Sequence, residues 1–118
     1  MFALALLLAG PAAMPAGMDA AQTAYVGCLA AESDAALRER VPVDRFAEGA
    51  ERICEAETMA FRAAAMPLLL AQAGTVDEET ARQDADARFA AMDAAHRARL
   101  VTAYQGKLRA RRGVRPVQ

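Results

Sequence analysis

The sequence predicts an all-α fold: an antiparallel helical hairpin linked by a disulfide, followed by a long third helix. The first indication is composition. The chain is 55% hydrophobic but only 5% aromatic, strong helix formers dominate it, and no run is typical of a strand. The second indication is a set of acidic residues that each precede a basic residue by four positions, which supports helices in the favourable orientation. These pairs are Asp34 with Arg38, Glu48 with Arg52, Glu78 with Arg82, Asp84 with Arg88, and Asp93 with Arg97.

The third indication is the placement of the two cysteines, which lie on either side of the break between two helical stretches at Val41 and Pro42. A chain of 118 residues fits one small domain, and a small core usually needs a cross-link. Two architectures satisfy the pattern. One is a compact three-helix bundle, and the other is an extended hairpin from which the third helix projects.

The beginning of the chain is typical of a secretory signal peptide. An uncharged apolar run over residues 1–10, too short to span a bilayer, precedes small residues and prolines. We predict a signal peptide and its flank over 1–17, a single helical domain over 18–112 and a flexible tail over 113–118. The expected location is therefore periplasmic or secreted. The alternative is a buried N-terminal helix, which the prolines of this segment would have to interrupt.

Export favours a structural disulfide between Cys28 and Cys54, because an oxidising compartment preserves such bonds. Cys28 precedes Val41 by nearly as many residues as Cys54 follows Pro42, so the two sulfurs lie at similar heights in an antiparallel hairpin. A redox-active pair is disfavoured, since there is no Cys-x-x-Cys motif. Two sulfurs and the distant His96 do not complete a four-ligand zinc site. We therefore expect a structural disulfide, no metal and no cofactor.

The first two helices are predicted from caps and apolar spacing. The first helix is expected from Asp19 to Arg40, and the second is expected to begin at Asp44 as its cap. We predict that the second helix kinks at Pro67 and ends at Gly74. Its predicted seam consists of Phe46, Ala50, Ile53, Glu57, Ala60 and Ala64.

The third helix is predicted to open at a capping box in which Thr75 and Glu78 satisfy each other's backbone N–H groups, and to extend to about Arg109. Its segment over 81–87 is polar on most sides, which is why the third helix could project from the hairpin. Apolar residues recur along the rest of it at intervals of three and four. They are Phe89, Met92, His96, Leu100, Tyr104 and Leu108.

Charge is distributed unevenly along the chain. All 15 acidic residues lie at or before Asp93, whereas basic residues dominate the end. We predict that Arg109, Arg111 and Arg112 contact an anionic envelope surface or an acidic partner. The alternative is that these cations complement the C-terminal end of a long helix. Nucleic acid is not an expected partner, because export separates the chain from it and no aromatic platform accompanies the basic residues.

The sequence does not indicate an enzyme. Its one histidine, His96, falls on the apolar stripe of the third helix, and nothing places the only serine, Ser33, near it. Glu57 falls on the seam of the second helix, where the pattern calls for an apolar residue. We interpret Glu57 as a rim residue, or as a buried acid that needs an arginine partner.

Two functions remain as hypotheses. The first is a non-catalytic protein–protein interaction or structural module of the cell envelope, whose stripe of Phe89, Met92, Leu100 and Tyr104 stays partly exposed for a protein partner or a second copy. The second is a small-ligand or metal-stress binding protein, which requires Glu57 and His96 to converge on one pocket. In general form the chain looks like small envelope proteins of Gram-negative bacteria. That likeness rests on composition and implies the periplasm without implying any functional residue.

Overall fold

The computed structural model describes residues 16–74 and 77–113. Over these ranges the chain forms four α-helices, α1 (Ala16–Arg38), α2 (Val43–Gly49), α3 (Glu55–Ala71) and α4 (Glu78–Arg111). The all-α prediction is confirmed. The predicted signal peptide lies outside the described residues except for Ala16 and Gly17, which open α1, and most of the predicted tail lies outside them as well. Within the described ranges, no helix combines the length and apolarity that crossing a membrane requires.

The disulfide-linked hairpin is also confirmed. Cys28 of α1 and Cys54, directly before α3, are joined with their Cα atoms 6.0 Å apart. The long α4 packs against both α1 and α3, and the short α2 packs against α4. Of the two predicted architectures, the structure is therefore the bundle, because α4 covers the hairpin and does not project from it.

The prediction of one continuous second helix is wrong, because the structure divides this stretch into α2 and α3 at a turn over residues 50–54. Cys54 takes a left-handed backbone conformation there, with a φ of 61°. A residue in this conformation cannot continue a right-handed α-helix. The turn shifts the helical phase of α3 relative to α2. Phe61 and Ala65 face the core, while Ala60 and Ala64 of the predicted seam lie further out.

Both the cap and the kink predicted for this region need correction. Asp44 is not the cap, since α2 begins at Val43 with Pro42 in the cap position and no side-chain hydrogen bond. Pro67 does not end or interrupt α3, which continues through it to Ala71. Proline removes a hydrogen bond to the carbonyl of Ala63. Ala63 and Pro67 are both exposed, so water can solvate that carbonyl and the helix tolerates the loss.

The start of α4 lies two residues after the position that the capping signal predicts, because Asp77 and not Thr75 is the cap residue. Asp77 accepts hydrogen bonds from the Thr80 hydroxyl and from the Thr80 backbone N–H at 2.9 Å. The first of these contacts, helped by the second, lowers the pKa of the Asp77 carboxyl. Thr75 lies outside the described residues. The predicted polar segment over 81–87 is in fact anchored on the bundle. Ala81 and Ala85 are buried, and Asp86 forms an ion pair with Arg62 of α3.

Within the part of the chain that the structure describes, the core consists of two clusters. The first contains Tyr25, Leu29, Phe61, Ala65 and Phe89. The second contains Leu37, Phe46, Ala50, Tyr104 and Leu108. Each cluster contains a pair of aromatic rings in contact. In the first cluster Phe61 and Phe89 meet edge to face, and in the second Phe46 stacks on Tyr104 with 4.0 Å between the ring centroids. Stacked and edge-on ring pairs add stabilisation beyond their buried area, which compensates for a core that is otherwise rich in alanine.

Candidate functional site

A buried arginine on α4 connects the two clusters. Arg97 is only 7% exposed, and its guanidinium donates to the backbone carbonyls of Ala50 at 2.6 Å and Ile53 at 2.9 Å. It also donates to the Thr58 hydroxyl at 2.6 Å and, through Nε, to Asp93 at 2.8 Å. The carbonyls of Ala50 and Ile53 belong to the turn between α2 and α3, where regular helical bonding stops. Arg97 thus satisfies the carbonyls that the turn releases.

The charge of Arg97 is balanced locally. Asp93 lies one helical turn before it on α4, and the hydroxyl of Tyr25 on α1 donates to the same carboxylate. The guanidinium carbon also lies 6.0 Å from the centre of the Tyr25 ring, within the range of a cation–π contact. We call this set of side chains the Arg97 centre. It consists of Tyr25, Thr58, Asp93 and Arg97.

The Arg97 centre is built to hold the fold. A guanidinium carries five N–H donors, and the protein's own carbonyls, hydroxyl and carboxylate occupy most of those of Arg97. Thr58, which accepts from Arg97, donates in turn to the carbonyl of Cys54 at 2.7 Å. The turn over residues 50–54 is therefore fixed to α4 from both of its ends. Little donor capacity remains for an anionic ligand, so the chemistry of the centre is structural.

The two tyrosines of the chain provide a pH-dependent test of this packing. Burial raises the pKa of Tyr25 well above its ordinary value, and its hydrogen bond to Asp93 raises it further. Burial likewise raises the pKa of Tyr104, whose hydroxyl donates to the carbonyl of Val41.

We expect the folded protein to resist tyrosine ionisation at pH values where the unfolded chain already ionises. The native state favours the neutral phenols, so their contribution to stability is fully present below about pH 10 and is lost as the pH rises above it. Phenolate absorbance measured against pH tests this, with the urea-unfolded chain as the control. If half of the tyrosine side chains were already ionised in the folded protein at about pH 10, this result would contradict the burial of both rings.

Two clefts flank the Arg97 centre, and both are lined in part by Glu51, Asp93 and Arg97. The first, which we call the α2–α4 groove, has a volume of about 480 Å³. Its remaining lining residues are Ala47, Ala50, Ala90, Ala94, Ala98 and Val101. The second has a volume of about 340 Å³ and is bordered by the exposed Met59. The α2–α4 groove is thus a small-residue surface with a polar floor.

The predicted apolar stripe is not an exposed surface. Phe89 and Tyr104 are buried in the two clusters, at 5% and 0% exposure, and Leu100 is partly buried between them. Met92 is exposed. The physical reason is that α1, α2 and α3 all pack on this side of α4. The interaction hypothesis therefore needs a different surface.

The basic residues at the end of α4 are open to solvent. Arg109 and Arg111 lie in the last turn of α4, directly before its cap residue Arg112, and all three are exposed. Their position suits the negative end of the helix dipole, and their exposure suits an anionic partner equally. Contact with an anionic envelope surface stays a prediction.

Glu57 and His96 have different neighbours. The Glu57 carboxylate lies beside the disulfide, with its ligand atom and the two sulfurs all within 4.8 Å of one another. His96 lies against Tyr25, with ring centroids 5.4 Å apart. Neither residue lines the two clefts around the Arg97 centre. The hypothesis of a pocket that joins Glu57 to His96 gains no support from these positions.

The sequence of α4 carries a second pattern besides the apolar stripe. Small and uncharged residues recur at intervals of three and four along another side of the helix, a spacing typical of coiled-coil contacts. This α4 seam consists of Thr80, Gln83, Ala87, Ala90, Ala94, Ala98, Val101 and Gln105. All are exposed except Val101, which is partly buried. The spacing is visible in the sequence, but alanine alone does not tell a covered side from an open one.

Comparison of the chain with protein-family models, with curated proteins and with solved structures finds no match.

Proposed function

We propose that the protein is an exported, non-catalytic interaction module of the cell envelope, and that it pairs with a second copy of itself through the α4 seam. The observation that carries the proposal is the exposure of this seam along the α2–α4 groove. The disulfide supports export, because such bonds persist in oxidising compartments.

Small side chains favour a helical partner. Alanines at Ala90, Ala94 and Ala98 let a second helix approach the α4 backbone closely, and close approach increases the number of dispersion contacts. The groove adds a wall on one side, formed by Ala47 and Ala50. A helix laid along the seam would thus contact α4 beneath it and α2 beside it.

The seam is nearly symmetric about the middle of α4, which spans Glu78–Arg111. Ala94 lies close to that midpoint. A two-fold axis at Ala94 would pack Ala90 against Ala98 of the partner subunit, and the reverse contact would follow by symmetry. The same surface would then serve both copies, as a two-fold interface requires.

Charge complementarity selects the antiparallel orientation. The first turn of α4 contains Glu78 and Glu79, and the last turn contains Arg109 and Arg111. Antiparallel pairing brings the acidic end of one copy to the basic end of the other, whereas parallel pairing brings like charges together. Each exposed pair contributes only about 0 to 1 kcal/mol, so these charges fix the orientation and the apolar contact provides the affinity.

We expect the oxidised wild-type protein to be a dimer and the Ala94→Arg variant to be a monomer. A long charged side chain at the symmetry axis separates the helices and places two like charges face to face. Size-exclusion chromatography with light scattering measures this. The matched control is Ala103→Arg, because Ala103 is exposed and lies roughly 180° around the helix from Ala94.

Circular dichroism must show equal helicity for both variants. A wild type that remains monomeric at about 100 µM, where even a weak specific interface is populated, would overturn self-association. A dimer that Ala94→Arg and Ala103→Arg leave equally intact would place the interface elsewhere.

A further inference from the structure

We propose that reduction of the disulfide converts Cys28, Cys54 and Glu57 into a binding site for a thiophilic divalent cation of the zinc class. The two sulfurs and the Glu57 carboxylate lie within 4.8 Å of one another. The inference stands independently of the proposed dimer, because its ligands lie on α1 and at the start of α3 and none belongs to the α4 seam.

The geometry fits one small ion. Tetrahedral zinc binds sulfur at about 2.3 Å and carboxylate oxygen at about 2.0 to 2.2 Å, which places ligand atoms roughly 3.5 to 3.8 Å apart. The Glu57 carboxylate lies within 4.8 Å of both sulfurs, so the sulfurs have to separate and the flexible Glu57 side chain has to close any remaining distance to the ion. With Cα atoms 6.0 Å apart, rotation of the two cysteine side chains is enough to open the sulfurs to a shared ion without moving the helices.

The local structure favours ligation. Cys54 is the cap residue of α3, and Glu57 lies in the first turn of the same helix, so one element presents two of the ligands together. The positive end of the helix dipole favours the anionic thiolate at Cys54. Cys28 on α1 supplies the third ligand from across the hairpin. Three protein ligands leave the fourth position to water, as in open zinc sites.

Glu57 makes no other polar contact within the described residues that metal binding would have to break. Among residues 16–74 and 77–113, its carboxylate takes part in no hydrogen bond and no ion pair. Its one evident structural contribution is to complement the dipole of α3, and Glu55 occupies the same first turn and makes the same contribution. Glu55 is exposed and is not among the three clustered ligands, so it provides a matched control.

The chemistry balances in two steps. A dithiol reductant transfers two electrons and two protons to the Cys28–Cys54 bond, giving two thiols, and is itself oxidised to a disulfide. The cation then displaces the two thiol protons and binds both thiolates and the Glu57 carboxylate. A metal cross-link thus replaces the covalent one between α1 and the start of α3, and the hairpin stays connected in both redox states.

The test uses Co²⁺ as the probe, titrated into protein that has been reduced and then freed of reductant under anaerobic conditions. We expect thiolate-to-cobalt charge-transfer absorbance in the near ultraviolet, which Zn²⁺ abolishes by displacement. Glu57→Gln should weaken Co²⁺ binding by about tenfold or more, whereas Glu55→Gln should bind as the wild type does. Oxidised wild type should show no such band.

Thermal unfolding followed by circular dichroism provides a second measurement. Zn²⁺ should raise the melting temperature of the reduced wild type, because an ion that binds the folded state stabilises it, and should leave the Cys28→Ser variant unchanged. Absence of the charge-transfer band in reduced wild type would overturn the proposal. Equal Co²⁺ affinity of Glu57→Gln and wild type would remove Glu57 from the site and overturn it as stated.

Discussion

Replacing both Cys28 and Cys54 with serine is expected to lower the free energy of unfolding by roughly 3 to 4 kcal/mol. The cysteines are separated by 26 positions, and the cross-link removes much of the conformational freedom of that loop from the unfolded chain. A small domain has a total stability of only about 5 to 15 kcal/mol, so the loss is large. Urea unfolding followed by circular dichroism measures it.

Reduced wild type, studied without metal, is the natural control for the serine variant, and the two should unfold at similar urea concentrations. A loss below about 1 kcal/mol would mean that the unfolded chain gains little freedom when the bond is cut. In that case the aromatic clusters and the Arg97 centre would be sufficient to stabilise the hairpin without the disulfide.

Arg97→Met is expected to be the most damaging single substitution, lowering the free energy of unfolding by about 3 to 5 kcal/mol. Methionine preserves much of the side-chain stem, but it leaves the carbonyls of Ala50 and Ile53 without their donor and leaves the largely buried Asp93 without its counter-charge. Buried polar groups that lose their partners incur their full desolvation cost. Urea unfolding again provides the measurement.

The matched control is Arg99→Met on the same helix. Arg99 is exposed, and substitutions at such positions usually change stability by no more than about 0.5 kcal/mol. If Arg97→Met and Arg99→Met were equally mild, the hydrogen bonds of Arg97 would not hold the turn over residues 50–54. Pairing Arg97→Met with Asp93→Leu should recover part of the loss, since the second change removes the unpaired carboxylate.

The Arg97 centre also affects the proposed interface. Arg97 and Asp93 line the α2–α4 groove, and Arg97 holds the carbonyl of Ala50 at the end of α2. Loss of these bonds releases the wall of the groove that α2 provides. A change that destabilises the turn is therefore expected also to alter the surface on which the second copy would lie.

Local signals in the sequence are sufficient for the fold class and the cross-link. Helix-forming composition and acid–base pairs four residues apart act within one or two turns of a helix, so they predict helices without knowledge of neighbours. The pairing of Cys28 with Cys54 follows from their similar distances to the break at Pro42, and from there being only two cysteines. The start of α4 is equally local, although Asp77 provides its cap in place of Thr75.

The candidate sites depend on contacts between residues that are far apart in the sequence, and local sequence patterns do not predict such contacts. The pair of Asp93 and Arg97 has the same spacing as the pair of Asp84 and Arg88, yet the side chains of the first pair are far less exposed than those of the second. The turn over residues 50–54 exists because Arg97, distant in sequence, satisfies its carbonyls, and this turn shifts α3 into the phase that brings Glu57 to the sulfurs.

The sequence by itself thus determined that the chain is helical, where the hairpin bends and which cysteines join, because those properties arise from interactions between near neighbours or from a single possible pairing. Tertiary structure alone decided which side of α4 is covered, which arginine is buried and where α2 ends. Burial is a property of the surrounding helices, and a long helix with alanine on several sides can be covered on any of them until the other helices pack against it.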